Sequence, residues 1–136
     1  MTRNTILKQL KEDLTDKLNS NNDYNSDPSI VQGVVEFMDV HQYPTVAFYM
    51  FRDTVRAENM DDNRERTMTI LIYGYAETHL NNFDNIHNLA EDVETFLYSD
   101  HWTYSDMTLL GDAEFDTADN ERSRFTLLIN IEYTQD

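Results

Sequence analysis

The sequence contains no cysteine, and this absence removes several classes of protein at once. Disulfide frameworks, thiolate nucleophiles and cysteine-ligated zinc sites are all excluded. Small secreted domains usually depend on disulfides for stability, so we expect an intracellular protein. Long apolar runs are absent as well, since no stretch approaches the roughly 20 residues that a membrane-spanning helix needs. Charged residues such as Lys8 and Lys11 interrupt the apolar residues near the N-terminus, which argues against a signal peptide.

Glycine and basic residues are also scarce. With only Gly33, Gly74 and Gly111, the chain has no glycine-rich loop that could hold a phosphate group. Ten Lys and Arg residues against 26 Asp and Glu residues give a formal net charge of −16. An acidic surface repels phosphate, so we expect no sequence-specific binding of nucleic acid. Acidity also favours solubility, and an acidic channel wall would let DNA pass without adhering to it.

What the chain does contain is sufficient for one folded domain. Of its 136 residues, 40% are hydrophobic and 12% are aromatic, which is enough apolar material for a packed core. The length is short for two domains. No repeat, low-complexity segment or linker interrupts the sequence, so we treat residues 1–136 as a single domain.

Two segments have the periodicity of amphipathic helices. Residues 4–19 place an apolar side chain at every fourth position, which predicts a helix lying on a surface, and these positions are Ile6, Leu10, Leu14 and Leu18. A second helix is predicted within residues 83–97. Its apolar stripe repeats at intervals of three and four and comprises Phe83, Ile86, Leu89, Ala90, Val93, Phe96 and Leu97.

Shorter apolar segments predict five strands, at residues 30–40, 45–51, 66–75, 107–115 and 124–134. In the first strand Gly33 marks a bulge. In the fourth strand, one face is predicted to carry Met107, Leu109, Gly111, Ala113 and Phe115. In the last strand, the side chains predicted to face the core are Phe125, Leu127, Ile129 and Ile131. The polar residues 52–65 form either the tip of a long hairpin or a mobile loop.

These elements together predict an α+β fold. The sheet is mostly antiparallel, the two main helices pack on one face of it, and a long β-hairpin arm is one of the two options for residues 52–65.

No residue pattern in the sequence predicts catalysis. His87 and Glu91 lie four residues apart on the second predicted helix, a spacing that can hold a divalent ion, but no second pair of ligands accompanies them. The run Asp61, Asp62, Asn63 lacks the glycine and the final glutamate of a calcium loop. No serine lies in a G-x-S-x-G turn. We therefore expect no enzymatic activity, no catalytic residues, no cofactor and no metal.

The chain carries more aromatic residues than one small core requires. Two interpretations are equally open: packing inside the core, or a protein–protein interface, where tyrosine and tryptophan are enriched. The residues concerned are Tyr43, Phe48, Tyr49, Phe51, Tyr73, Tyr75, Trp102 and Tyr104.

Taken in order, the segments resemble the tail terminator proteins of long-tailed bacteriophages. The resemblance covers nearly the whole chain and lies in arrangement more than in invariant motifs. It consists of an opening helix, a strand that begins after a proline, a strand that runs into a polar turn, a second helix and a final pair of strands. The corresponding segments are ILKQLKEDL, YPTVAFYMF, MTILIYGYAE, FDNIHNLAEDVETFL, LLGDAEFD and RFTLLINIEYT.

The resemblance implies a structural protein of the virion. Such proteins form a hexameric ring that caps the tail tube, ends its polymerisation and provides the docking surface for the head. The implied partners are further copies of the chain, the tail tube protein and a neck or head-completion protein, with a tail sheath protein as an additional candidate. The implied location is the head–tail junction of the virion, after assembly in the host cytoplasm, with DNA passing through the ring lumen.

Subunit contacts in the family come largely from the sheet and from hairpin loops. The matching positions here are Tyr43–Phe51, residues 57–66 and Tyr73–Tyr75. Arginines near the hairpin could bind an acidic neighbour. The resulting candidate interface comprises Tyr43, Phe48, Tyr49, Phe51, Arg56, Arg64, Arg66, Tyr73 and Tyr75.

Two alternatives remain open from the sequence. One is a neck or head–tail connector protein, which also forms rings. The other belongs to a different class, a small acidic binding protein such as a DNA mimic, which would spread carboxylates along its surface to imitate phosphates.

Overall fold

The computed structural model describes residues 1–36, 40, 42–58, 64–78, 82–117 and 121–135. Within these ranges the chain forms two α-helices and one five-stranded sheet. The elements in chain order are α1 (Arg3–Lys17), β1 (Ser29–Gln32), β2 (Thr45–Glu58), β3 (Arg64–Glu77), α2 (Asp84–Tyr98), β4 (Thr108–Thr117) and β5 (Arg122–Gln135). The predicted α+β class, with a mostly antiparallel sheet and two main helices, is confirmed.

Side-chain oxygens accept hydrogen bonds from backbone amides at the start of both helices. The Thr2 hydroxyl accepts a hydrogen bond from the Thr5 amide at 3.3 Å, which satisfies one of the unpaired N–H groups at the start of α1. The Asn82 side-chain oxygen does the same for the Asp84 amide at 2.9 Å at the start of α2. Neither helix of the described chain has the length and apolar character needed to cross a membrane.

The strands lie in the spatial order β1-β2-β3-β5-β4. Strand β1 is short and runs parallel to the beginning of β2, whereas every other neighbouring pair is antiparallel. The pairing of β3 with β5 is unbroken from Arg64↔Gln135 to Glu77↔Arg122 and forms the centre of the sheet. Two long edges result, one along β2 beyond β1 and one along β4.

Both helices pack on the same face of this sheet. Their apolar stripes join alternate residues of the strands in one continuous core, as the sequence pattern predicts. The predicted facing of β5 toward α2 is confirmed. The core side chains contributed by these two elements include Ile86, Leu89, Val93, Phe96, Phe125, Leu127, Ile129 and Ile131.

The hairpin β2–β3 resolves the choice left open for residues 52–65. Strand β2 continues to Glu58 and β3 begins at Arg64, and these two residues are paired with each other. Residues 52–58 and 64–66 therefore belong to a long hairpin arm. The hairpin tip, including the Asp61, Asp62, Asn63 run, lies outside the described residues.

Two sequence predictions about strands are wrong in detail. Strand β1 ends at Gln32, and Gly33 follows it with a φ of 142°, a conformation that favours glycine. In β4 a bulge between Leu110 and Ala113 breaks the predicted alternation, because Gly111 and Asp112 together oppose one residue of β5. Leu109 consequently points away from the core and is 60% exposed, whereas Leu110 packs against the core.

Candidate interaction surface

The helices cover only one face of the sheet, and the opposite face, here called the open face, carries aromatic, aliphatic and amide side chains. The side chains that define it are Tyr49, Leu71, Tyr73, Arg124, Leu128 and Asn130. Because residues alternate along β3 and β5, and along β2 as far as its bulge at Phe51, every second residue there points to this side. The segment after β1 covers one end of this face, where Tyr75 is buried, and neither helix covers the rest.

Aromatic stacking organises the middle of the open face. The rings of Tyr49 and Tyr73 stack with centroids 6.0 Å apart, and their hydroxyl oxygens lie 3.4 Å apart. The Arg124 guanidinium lies 5.7 Å from the Tyr73 ring centroid and forms an ion pair with Asp116 at 2.6 Å. Burial and the neighbouring Tyr49 raise the pKa of Tyr73 to about 12, so its phenol stays neutral at physiological pH.

The structure separates the nine candidate interface residues into accessible and inaccessible groups. Phe48 and Tyr75 are fully buried within the single chain, so neither side chain is accessible to a partner. Phe48 points to the helix-covered face. Tyr75 lies against the segment after β1, where its hydroxyl donates to the Val35 carbonyl. Phe51, Arg56 and Arg64 are exposed at the hairpin arm, and the remaining residues, Tyr43, Tyr49, Arg66 and Tyr73, are half-buried.

Arg66 is committed to a contact inside the chain. Its Nε donates to Asp53 Oδ1 at 3.1 Å, while Arg3 Nε and the Tyr133 hydroxyl donate to Asp53 Oδ2 at 2.8 and 2.6 Å. The Asp53 side chain is only 3% exposed. This network ties α1 to three strands at the base of the hairpin arm, which gives Arg66 a structural role that the sequence did not predict.

Two other buried carboxylates were also missed by sequence reasoning. Asp92 accepts hydrogen bonds from the Asn25 amide, the Asn25 side chain and the Ser26 hydroxyl, and it thereby anchors the loop before β1 to α2. Asp13 accepts from the amide and hydroxyl of Thr103, which joins α1 to the segment after α2. A chain with 26 acidic residues gives no signal that distinguishes these carboxylates from the exposed ones.

Charge is distributed unevenly along the chain. Residues 77–121 contain twelve Asp and Glu residues and no Lys or Arg. This segment includes α2 and β4, and most of its carboxylates are exposed. The basic residues instead lie on α1, on the hairpin arm and at the start of β5. One side of the sheet is consequently acidic, while the side formed by β2 carries exposed arginines.

A polar cleft of about 510 Å³ lies where the loop before β1 meets the start of α2. Most of its polar groups already have partners: Asn25 and Ser26 donate to Asp92, and the Asn85 side-chain amide donates to the Glu77 carbonyl. The carboxylate that accepts from Ser26 also accepts two hydrogen bonds from Asn25, so this cluster anchors the loop to α2.

Among the described residues, no three His, Asp or Glu side chains converge as metal ligands would. His87, the candidate ligand on α2, packs its ring against Phe115 with centroids 4.9 Å apart.

Removal of metal ions should therefore leave the stability of the protein unchanged. We expect the same melting temperature with and without saturating EDTA, because a bound ion would stabilise the native state by mass action and its loss would lower that temperature. The measurement is a thermal unfolding scan followed by tryptophan fluorescence. A decrease of many degrees that added Zn²⁺ or Ca²⁺ reverses would contradict the metal-free interpretation.

Comparison with known proteins adds no family assignment. No protein-family model matches the chain, and a search of curated protein sequences finds no match.

Proposed function

We propose that this chain is a structural subunit of a phage tail, forming a ring that caps the tail tube, ends its polymerisation and provides the docking surface for the head. The observation that carries the proposal is the order and placement of the elements. An N-terminal helix, a long hairpin, a second helix and a final strand pair follow one another as the resemblance to tail terminators implies. Both helices lie on one face, which leaves the open face and the sheet edges for contacts with other subunits.

The surface chemistry of the chain agrees with assembly by protein contacts. The hairpin arm exposes Phe51 and Val55 beside Arg52 and Arg56, a combination that suits a partner with apolar and acidic groups. A net charge of −16 suits a ring through which DNA passes, because carboxylates near a lumen repel the phosphate backbone. Hexameric closure and the identities of the tube, neck and sheath partners are parts of this proposal.

A connector in the neck is the second candidate, since it would present the same kind of ring-forming surface. The two roles differ in one measurable respect. Loss of a terminator removes the stop signal for tube growth, whereas loss of a neck connector leaves tails of normal length without heads.

An acidic binding protein that imitates DNA is the candidate from another class. The run of twelve carboxylates without a basic residue in residues 77–121 favours it. Against it, three described carboxylates, those of Asp13, Asp53 and Asp92, are buried as anchors of the fold. A mimic would bind a DNA-binding enzyme, would inhibit that enzyme in solution and would be absent from purified virions.

The deciding experiment is removal of the protein from the phage by an amber mutation in its gene. In a non-suppressing host we expect tails that exceed their set length and do not join heads, measured by negative-stain electron microscopy of the lysate. Supplying the wild-type gene on a plasmid should restore tail length and infectious particles, which controls for effects on neighbouring genes.

Each outcome of this experiment identifies one role. Overlength tails support the terminator, and normal-length tails beside filled, tailless heads support the neck connector. Complete virions with tails of normal length would contradict both structural roles. Mass spectrometry of wild-type virions adds an independent test, since a ring protein should be present at a few copies per particle.

A further inference from the structure

We propose that neighbouring copies of this chain meet along the two edges of the sheet, with the β2 edge of one copy packed against the β4 edge of the next and their opposite charges paired. This inference rests on the proposed function for its biological setting, a ring of identical subunits. The pairwise contact itself rests on the two edges alone.

The first edge is the part of β2 that extends beyond its pairing with β1. That pairing ends at Gln32↔Phe48, and no other described strand lies along the outer side of β2 from residue 49 to residue 58. Register shifts at Phe51 and Arg56 insert one extra residue at each position, which bends the strand. The side chains of Phe51, Arg52, Val55 and Arg56 are all exposed here.

The second edge is β4, which pairs only with β5 among the described strands. It also carries a bulge, at Gly111 and Asp112. A Cβ atom added to Gly111 would lie 3.0 Å from the Leu128 carbonyl oxygen, so the strands approach closely at this point. The exposed side chains include Leu109, Asp112, Glu114 and Phe115.

Apolar side chains are concentrated on these two edges. Seven large hydrophobic residues of the described chain are exposed, and four of them lie on the edge strands: Phe51, Val55, Leu109 and Phe115. Each edge contributes two. Contact between the edges would remove part of this apolar surface from water on every copy, which gives the association an apolar component.

The charges on the two edges are opposite and are not neutralised within the chain. Arg52 lies against the Phe51 ring, and neither Arg52 nor Arg56 forms an ion pair with a described residue. Asp112 and Glu114 likewise have no ion-pair partner in the described chain. Each edge thus presents two unpaired charges, and a β2 edge placed beside a β4 edge brings arginines against carboxylates.

Protection of exposed edges is the competing explanation, because charges and bulges on edge strands normally prevent association. Protection of this kind works with charges of either sign and gives no preference for one pair of edges over another. The chain has only ten basic residues and places two of them on β2, opposite in sign to the unpaired carboxylates of β4. The opposite charges of the β2 and β4 edges attract one another, whereas the like charges of two β2 edges or of two β4 edges repel.

The geometry also sets the symmetry of the assembly. A β2 edge against a β4 edge is a head-to-tail contact, and each copy still offers one unused edge of each kind. Contacts of this type continue from copy to copy and close into a ring where the rotation between neighbours closes, which is the case that the proposed function requires. Pairing of the same edge from two copies, which would give a closed dimer, is disfavoured by like charges.

Charge reversal at each edge tests the contact. The double substitution R52E/R56E makes both edges acidic, and D112K/E114K makes both edges basic. Neither variant should associate with itself, but an equimolar mixture should associate, because every contact then joins an acidic edge to a basic one. We expect the mixture to associate roughly tenfold more tightly than either variant alone at low ionic strength, measured by sedimentation velocity up to millimolar concentration.

Two control variants change net charge by the same amounts away from the edges. These are K8E/K17E on α1 and E91K/D100K in and just beyond α2, all at exposed positions. Their mixture should not associate more tightly than wild type. Circular dichroism checks folding, and the single substitutions R56E and D112K repeat the test if a double variant fails to fold.

Equal association in the edge mixture and in the control mixture would overturn the proposal, as would a mixture that stays monomeric at millimolar concentration. These results are independent of the phage phenotype. Overlength tails in the absence of the protein together with no edge-dependent association would reject the contact and retain the terminator role. Edge-dependent association together with tails of normal length would retain the contact and reject the terminator role.

Discussion

The substitution Ile129→Asp is expected to leave the protein largely unfolded at room temperature. Ile129 is 0% exposed at the centre of the sheet, where it is paired with Ile70 on one side and with Leu110 on the other. A carboxylate there has no cationic partner among the described residues of the core cluster. Burial of such a group costs several kcal/mol, which is a large part of the 5–15 kcal/mol that typically stabilises a domain.

The neighbouring residue supplies a matched control. Leu128 is 43% exposed on the open face, so Leu128→Asp adds the same charge to the same strand in contact with water. We expect this variant to lose no more than about 1–2 kcal/mol, from its partly buried side chain and the low strand propensity of aspartate. Urea unfolding can be followed by the fluorescence of Trp102, the only tryptophan, which is buried and donates its indole N–H to Thr108 at 2.8 Å. Equal stability of the two variants would contradict the register of β5.

The contrast between Ile129 and Leu128 follows from the period of β5, because the polar residues at 124, 126, 130 and 132 put position 128 on the outward side although it is apolar. Every second residue from Phe125 to Tyr133 is apolar, points to the core and is buried. The residues between them point to the open face. The apolar stripe of α2 was equally clear. Periodicity identifies an element well when one face meets the core along its whole length.

Periodicity fails where a strand changes its alternation. The bulge in β4 moves Leu109 out of the face that it would share with Ala113. Gly111 was an available signal for this bulge, because an isolated glycine inside a strand often marks one. The extent of β2 and β3 was underestimated for a related reason. Residues 52–58 and 64–66 are polar because the hairpin arm extends beyond the core, and polar strands resemble loops in sequence.

From the sequence, the candidate interface was predictable only as a set of residue types. The alternation of the strand places Phe48 and Phe51 on opposite faces, but both faces are apolar, so the sequence could not show that Phe48 is the buried one and Phe51 the exposed one. The buried role of Asp53 was not predictable either, because its three donors come from positions 3, 66 and 133.

The substitution Asp53→Asn should lower the free energy of unfolding by about 2–4 kcal/mol at neutral pH. It keeps the shape of the side chain but removes the negative charge that Arg3 and Arg66 share. Burial opposes ionisation of Asp53, but hydrogen bonds from Tyr133, Arg66 and Arg3 outweigh it and hold the pKa of this carboxyl below its ordinary value of 3.8. The ionised carboxylate is therefore the form that stabilises the native state.

The pH dependence of this loss identifies the charge as its cause. Since the native pKa of Asp53 is lower than the unfolded value of 3.8, its stabilisation is complete above that pH and disappears as the pH falls through the native pKa. The difference in unfolding free energy between wild type and Asp53→Asn should accordingly be constant from pH 5 to 7, values chosen well above that pKa, and shrink below about pH 4. Taking the difference between the unfolding free energies of wild type and Asp53→Asn removes the contribution of all other carboxylates.

The control is Asp116→Asn, which breaks the exposed ion pair with Arg124 and should cost no more than about 1 kcal/mol. A loss for Asp53→Asn as small as that of Asp116→Asn, or one that does not change with pH, would show that the network does not stabilise the hairpin arm through charge.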